Sequence, residues 1–168
     1  MPPVSVKQRV AGIAALLGAF AVVALAVLVV TRRPRAGLEV LVAGLLTAPG
    51  TDVLKEWSGR PRPVGIRVRE TPDSFGFPSG HTAIAFALAT VIALWIPARL
   101  RWAPLAVAAV VGLGRMYVGA HYPLDVVGGA LWGASVGWAV VLAGRWLSGA
   151  GRGSVRPGCS AGSASSRP

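Results

Sequence analysis

The chain has 168 residues, of which 54% are hydrophobic and only 14% are charged. This length fits one domain, and so apolar a composition excludes an ordinary water-soluble protein. The net charge of +11 comes from cations scattered between apolar segments, with no single basic stripe, so we expect no nucleic-acid partner.

The apolar segments predict an all-α fold, a polytopic bundle of transmembrane helices. Uncharged runs of 21 residues from Val10 to Val30 and of 19 residues from Val126 to Gly144 each match the length of about 20 residues that crosses a bilayer. The first run exceeds the apolar core of about 7–15 residues in a cleaved signal peptide, so we expect it to remain as a span. In chain order, the predicted spans are residues 10–30, 36–54, 82–98, 103–119 and 125–147.

The second span and the C-terminal segment are the least regular parts of this plan. Glu39 and Asp52 interrupt the second span, and Pro49-Gly50 predicts a break or kink in it. Residues 148–168 are rich in Gly, Ser and Arg, so we expect a disordered tail after a membrane-embedded domain of residues 1–147. The single Cys159 has no second cysteine for a disulfide and lacks the further ligands that a metal site needs.

Three clusters of polar residues separate the predicted spans. The first includes Lys55 and Arg62, the second is Pro78-Ser79-Gly80-His81, and the third runs from Arg115 through His121 to Asp125. Two helices, each rising about 1.5 Å per residue, carry the chain from the second cluster across the membrane and back to the third. The segment between the first and second clusters does not cross, so we expect all three clusters on one membrane face.

The arginines of the connecting loops predict which face this is. Cations are almost equally numerous on the two faces, but several on the cluster face have chemical roles to fill. Once these are set aside, the excess of positive charge lies on the opposite face, which the positive-inside rule assigns to the cytoplasm. We therefore expect a multi-pass protein of the plasma membrane with the clusters on the extracytoplasmic side. The cations opposite the clusters are Arg32, Arg33, Arg35, Arg99, Arg101, Arg145, Arg152, Arg156 and Arg167.

The third cluster has the residues of an activated nucleophile. Asp125 follows His121 by four residues, and a carboxylate that accepts from Nδ1–H leaves Nε2 of the imidazole able to attack. The hypothesis is therefore that His121 is a nucleophile and Asp125 orients it. Pro123 suits the first turn of the fifth span, and the alternative is that His121 and Asp125 merely cap that helix.

The second cluster opens the third span and suits an anion. The first turn of a helix offers unpaired N–H groups, Gly80 lets a ligand approach the backbone, and the Ser79 hydroxyl can donate to a phosphate oxygen. His81 is then placed to protonate a leaving oxygen as a general acid. The alternative is a plain helix cap followed by a surface histidine.

Three cations complete the candidate site. Lys55, Arg62 and Arg115 can neutralise the charge on a phosphoryl group as its transition state forms. The alternative for each is a cation at the level of the lipid headgroups. Trp57 and Trp102 are interpreted as interfacial anchors.

Together the clusters resemble the signature of the type 2 phosphatidic acid phosphatase superfamily. Lys55 with Arg62-Pro63, the segment Pro78-Ser79-Gly80-His81, and Arg115 with His121 and Asp125 agree with its three motifs in order and spacing. There are two departures. Gly114 stands where the family usually has a serine before the arginine of the third motif, which removes one phosphate donor, and the family's membrane members commonly have six spans where five are counted here.

The resemblance implies a lipid phosphatase that forms a phosphohistidine intermediate and needs no metal or other cofactor. It implies His121 as nucleophile, Asp125 as its orienter and His81 as acid, with phosphate bound by Lys55, Arg62, Ser79, Gly80 and Arg115. The expected substrates are a lipid phosphate or a polyprenyl diphosphate such as undecaprenyl diphosphate. Two alternatives stay open: a non-catalytic binder of anionic lipid headgroups, and a vanadate-dependent haloperoxidase, against which the apolar spans argue.

Overall fold

The structure, a computed structural model, describes residue 18, residues 21–62 and residues 75–150, and all regular secondary structure in these ranges is helical. The predicted all-α class is therefore confirmed. The helices are α1 (Ala21–Thr31), α2 (Pro34–Ser58), α3 (Gly80–Trp95), α4 (Trp102–Tyr117) and α5 (Pro123–Ala150). A short 3₁₀ turn, Ala98–Leu100, joins α3 to α4.

Two of these helices, α2 and α5, are long and apolar enough to cross a membrane. The helix α3 is equally apolar but has 16 residues, and α4 also has 16, which at about 1.5 Å per residue is shorter than a bilayer core of roughly 30 Å. Most of the residues before Ala21 in the first predicted span lie outside the described ranges. The number of spans therefore stays a prediction.

The helix α2 runs unbroken through Pro49, so a break at Pro49-Gly50 is wrong, while the alternative of a kink there stays a prediction. Two threonine hydroxyls donate to backbone carbonyls around this proline: Thr47 to Ala43 over 2.6 Å, and Thr51 to Thr47 over 2.7 Å. Proline is tolerated inside apolar helices where side-chain hydroxyls and neighbouring helices compensate for the lost backbone bond. Because α2 continues, Lys55 lies in its last turn and not in the loop beyond it. The helix then ends at Gly59, which has a φ of 57° in the left-handed region that glycine favours.

The closest helix packing joins α3 to α5 through three glycines of α5 spaced by four residues, Gly129, Gly133 and Gly137. A methyl group on Gly129 would lie 2.5 Å from the Ser79 carbonyl oxygen, and one on Gly137 would lie 2.5 Å from that of Ala87. One on Gly133 would overlap the backbone of Ala83. Small residues at this spacing let two backbones approach each other in an apolar bundle. The first turns of α3 and α5 are thereby held side by side.

The opposite end of the bundle is fixed by a buried carboxylate. Glu39 of α2 is only 6% exposed, and its Oε2 accepts a hydrogen bond of 2.6 Å from the indole N–H of Trp95 in α3. Arg35 lies 3.6 Å from the other carboxylate oxygen and donates to the Gly144 carbonyl of α5 over 2.6 Å. The acidic residue that interrupted the predicted second span therefore links three helices.

The C-terminal boundary needs a small correction. The helix α5 continues to Ala150, so residues 148–150 are helical and do not belong to the predicted tail. The hydroxyl of the half-buried Ser148 donates to the Gly144 carbonyl over 3.0 Å within this last part of the helix. The remainder of the predicted tail, residues 151–168, lies outside the described ranges.

Candidate active site

The three polar clusters meet at one end of the bundle. The Lys55 amine lies 3.5 Å from the position that a Cβ would take on Gly80, so the end of α2 faces the start of α3. A guanidinium nitrogen of Arg62 lies 3.4 Å from Nε2 of His121, and the Ser79 N–H donates to the Asp125 carbonyl over 2.9 Å. The convergence that span counting predicts is therefore observed in the structure.

The imidazole of His121 is buried, with its side chain only 2% exposed. Its Nδ1 lies 2.9 Å from the backbone carbonyl oxygen of Gly76. A carbonyl oxygen only accepts hydrogen bonds, so this contact assigns the proton of the neutral ring to Nδ1. The lone pair is then on Nε2, the nitrogen that faces Arg62.

The surroundings of His121 keep it neutral at physiological pH. Burial lowers its pKa to about 4, with Arg62 and Arg115 acting in the same direction, against the opposing effects of the Gly76 hydrogen bond and the Asp125 charge. An ordinary histidine has a pKa near 6.5. Nε2 of the ring therefore stays unprotonated throughout the neutral range, as a nucleophile requires, with Arg62 3.4 Å away.

The carboxylate of Asp125 has a different geometry from the one that the sequence predicts. Its Oδ2 lies 3.7 Å from Nδ1 of His121, beyond hydrogen-bond distance, and accepts a bond of 2.8 Å from the Tyr122 N–H. Asp125 is the third residue of α5, and Tyr122 directly precedes this helix. The bond therefore caps the start of α5, which is the alternative role that the sequence left open for Asp125. Asp125 thus acts on His121 by its nearby charge, while the Gly76 carbonyl makes the direct bond.

Sequence reasoning did not assign a role to two groups that contact this centre. One is the carbonyl of Gly76. Every residue has a backbone carbonyl, so the residue type at this position does not indicate the contact. The other is Arg60, whose guanidinium lies 3.3 Å from Oδ1 of Asp125 and 5.4 Å from the centre of the Tyr122 ring. The signal for Arg60 was its place in the segment Arg60-Pro61-Arg62-Pro63, within the cationic first cluster.

Ser79 and Gly80 form the start of α3 without a side-chain helix cap. The Ser79 side chain is fully buried and accepts a hydrogen bond of 3.0 Å from the Thr82 hydroxyl. Since a hydroxyl that accepts still has its own proton to donate, Ser79 can also serve an anion. Glycine at position 80 leaves space next to the Lys55 amine.

The cations surround the two histidines. Arg62 donates to the Ala120 carbonyl over 3.2 Å, which holds its guanidinium against the loop of His121. His81 lies within electrostatic reach of Arg115, Lys55 and Arg62. Within the part of the chain that the structure describes, Nε of Arg115 is buried without a hydrogen-bond partner, so it is a donor with capacity for a ligand. Arg62 and Arg115 therefore act electrostatically on both histidines, and Arg115 also has a donor available for a ligand.

A cavity of about 390 Å³ leads away from this polar end between α1, α2 and α3. Lys55, Asp52 and His81 line it at one end, and Val23, Ile84 and Leu88 line it at the other. A larger apolar cavity of about 640 Å³ lies between α2 and α5, next to Glu39 and Trp132 and away from the three clusters. Only the smaller one combines the candidate phosphate-binding residues with an apolar wall.

Comparison with known proteins agrees with the arrangement of these residues. A sequence model described as the PAP2 superfamily matches residues 13–148 of the chain. Phosphatidylglycerophosphatase B of Bacillus subtilis is 37% identical over 101 residues, which cover 51% of this chain and 49% of that protein. The undecaprenyl-diphosphatase of Sulfolobus acidocaldarius is 34% identical over 70 residues, which cover 42% of this chain and 34% of that protein. The matches thus span about half of these relatives or less.

A solved structure has a similar arrangement of helices. The crystal structure of a transmembrane PAP2 type phosphatidylglycerolphosphate phosphatase from Bacillus subtilis superposes with a TM-score of 0.61 at 28% identity. The match covers 80% of this chain and 71% of that one. The bundle of this chain is therefore similar to that of a membrane phosphatase.

Proposed function

We propose, since the chain belongs to the PAP2 superfamily, that it is an integral-membrane phosphatase whose substrate is a lipid phosphate or a polyprenyl diphosphate. We further propose that it acts through a phosphohistidine on His121 and uses no metal. The observation that carries this proposal is the hydrogen bond of 2.9 Å between Nδ1 of His121 and the Gly76 carbonyl. It leaves the Nε2 lone pair directed toward the cations of the site.

In the first step, Nε2 of His121 attacks the phosphorus atom, and the bond between phosphorus and the lipid oxygen breaks. Phosphoryl transfer depends mainly on positioning and on stabilising the charge of the transferred group. Lys55, Arg62 and Arg115 supply that charge. Arg62 and Arg115 act on both histidines and Lys55 acts on His81, which supports this role. Ser79 and the backbone N–H groups at the start of α3 add donors for the phosphate oxygens.

Burial and the charges of Arg115, Lys55 and Arg62 lower the pKa of His81 in the free protein, and the negative charge of a bound phosphate opposes these cations and favours the protonated ring. The leaving oxygen then takes its proton from His81, the general acid. In the second step, water attacks the phosphohistidine, the bond between phosphorus and nitrogen breaks, and inorganic phosphate leaves. His81, neutral after the first step, accepts the proton of that water and returns to its starting state. Each turnover consumes one water and yields one alcohol, or a monophosphate in the case of a diphosphate substrate.

The smaller cavity supports a lipid substrate. Its polar end contains Lys55 and His81, so a phosphate headgroup fits there, while Val23 and Leu88 line the end that suits a hydrocarbon chain. A substrate anchored in this way keeps its chain in apolar surroundings as its phosphate reacts at the membrane rim. The excess of loop arginines on the other face supports a multi-pass arrangement in the plasma membrane with this site on the extracytoplasmic side.

The test is phosphate release by the full-length protein in detergent micelles. The panel contains phosphatidic acid, phosphatidylglycerol phosphate and undecaprenyl diphosphate, each with and without a chelator. The wild-type protein is expected to release phosphate from at least one of them at a rate that the chelator does not change, and His121→Ala is expected to release none. Lipid binding without phosphate release would favour a non-catalytic headgroup binder, and halide oxidation on addition of vanadate would favour a haloperoxidase.

A further inference from the structure

We propose that Arg60 is the positioning residue of this active site, because its side chain and its backbone separately hold the two groups that fix His121. The inference rests on the proposed function, in which His121 is the nucleophile. Arg60 is outside the residues to which the three motifs assign a role.

The side chain of Arg60 holds Asp125. One guanidinium nitrogen lies 3.3 Å from Oδ1 of Asp125, and the guanidinium carbon stacks at 5.4 Å over the Tyr122 ring. A planar guanidinium can pair with a carboxylate at its edge and stack on an aromatic ring with its face, which a lysine cannot do equally well. The Tyr122 N–H donates to Oδ2 of Asp125, which closes the turn between these two residues. Arg60 therefore contacts the first and the last residue of this turn.

The backbone of Arg60 holds Gly76. The Gly76 N–H donates to the Arg60 carbonyl oxygen over 2.7 Å, and the Gly76 carbonyl in turn accepts from Nδ1 of His121 over 2.9 Å. The space next to Gly76 is also filled, because an added Cβ there would lie 3.2 Å from the Pro61 carbonyl and 3.4 Å from Oδ2 of Asp125. Gly76, whose carbonyl accepts the Nδ1 proton of His121, is therefore hydrogen-bonded directly to the backbone of Arg60.

The charge of Arg60 also balances Asp125, which is completely buried. A buried carboxylate is costly unless it is paired, and once its partner is removed its charge acts more strongly on the neighbouring imidazole. Among the described residues, Asp125 also interacts electrostatically with His121 and Arg62, and Arg115 acts on both of these. Loss of Arg60 therefore makes the second protonation of the His121 ring easier, because the ring then lies next to the Asp125 charge without the cation that balances it.

The variants that test this are Arg60→Gln, which removes the charge at similar size, and Arg60→Lys, which keeps the charge without the planar fork. Arg99→Gln is the matched control, since Arg99 is an exposed arginine of the 3₁₀ turn at the other end of α3. By analogy with partners that orient metal-bound histidines, we expect Arg60→Gln to lower kcat by about 10- to 100-fold with little change in KM. Arg60→Lys should recover part of the loss, and Arg99→Gln should match the wild type.

A second readout follows the protonation of His121 without turnover. The chain has two histidines, so full-length protein with ¹⁵N-labelled histidine gives two sets of ring signals, which the variant His81→Gln assigns. We expect Arg60→Gln to raise the pH at which the His121 ring gains its second proton, whereas Arg60→Lys and Arg99→Gln leave it near the wild-type value. A residue with a merely structural role would lower activity without moving this pH.

The outcomes separate this inference from the proposed function. Wild-type protein that releases no phosphate would contradict the proposed function, while the NMR comparison would still test Arg60. An Arg60→Gln variant with wild-type kcat and an unchanged His121 titration would overturn the role of Arg60 alone. Should Arg60→Gln fail to fold, Arg60→Lys decides: a reduced kcat with unchanged KM supports the positioning role, and a wild-type kcat overturns it.

Discussion

The carbonyl oxygen of Gly76 lies 2.9 Å from Nδ1 of His121, although the two residues are 45 positions apart in the chain. This contact assigns the imidazole proton to Nδ1 and thereby makes Nε2 the reactive atom. Asp125, the residue predicted to orient the ring, lies 3.7 Å from Nδ1 and acts on the ring through its charge.

The first prediction concerns the titration of His121. Burial and the nearby arginines lower its pKa to about 4, so the ring stays neutral as the pH falls from 7 through the ordinary histidine value of about 6.5. In the free protein, the ¹⁵N signals of His121 should therefore show the neutral Nδ1–H tautomer down to about pH 5, with protonation only near pH 4. Titration of His121 near pH 6.5 would contradict the structure, in which the ring is buried next to arginines.

The second prediction concerns His81 as the general acid. A leaving group that is stable as an anion needs no proton, whereas an alkoxide does. His81→Ala should therefore lower kcat much less for p-nitrophenyl phosphate than for a lipid phosphate, by a difference on the order of 100-fold. Steady-state rates on the two substrates measure it, and equal losses would contradict the acid role.

The third prediction concerns the departure from the family signature at Gly114. A Cβ added there has no atom within 4 Å, so a serine fits without displacing anything. Gly114→Ser should fold as the wild type does and should lower KM for a lipid phosphate by several-fold, because one hydroxyl donor worth about 1 kcal/mol is restored. Folding is checked by thermal unfolding in detergent and KM by initial rates. A KM that stays unchanged would mean that position 114 does not contact phosphate in this chain.

The fourth prediction concerns the glycines that join α3 to α5. Alanine at position 133 would overlap the Ala83 backbone, so Gly133→Ala should destabilise the protein by about 1–3 kcal/mol, as overpacking does. Gly114→Ala is the matched control, since it is also in a helix but meets open space and gains about 1 kcal/mol of helix propensity at most. Unfolding in detergent measures both variants, and equal stability of the two would argue against the close approach of α3 and α5.

The sequence predicts the helices and the meeting of the polar clusters better than it predicts the hydrogen bonds between them. Pro123 marks the observed start of α5, and the spacing from His81 to His121 returns the chain to the same end of the bundle, where the Ser79 N–H donates to the Asp125 carbonyl. These features follow from apolar periodicity and from helix length, which are local properties of the chain. The polar clusters stand out because charged residues are rare in an apolar sequence.

The features that the sequence did not predict depend on partners distant in the chain. Nothing in the residue types indicates that a backbone carbonyl at Gly76 faces His121, or that Arg60 pairs with Asp125. The same holds for Glu39, which interrupts an apolar segment in the sequence but bonds to Trp95, 56 residues later. The break expected at Pro49 did not occur because packing against neighbouring helices outweighs a local helix-breaking tendency.

The central claim is that Nε2 of His121 takes up the phosphoryl group. The measurement that tests it most directly is a rapid quench of the full-length protein during turnover of a ³²P-labelled lipid phosphate, followed by mapping of the labelled peptide. The account predicts label on His121 that is stable in base, labile in acid and absent from His121→Ala. Turnover without any labelled histidine, or label that persists in His121→Ala, would contradict it.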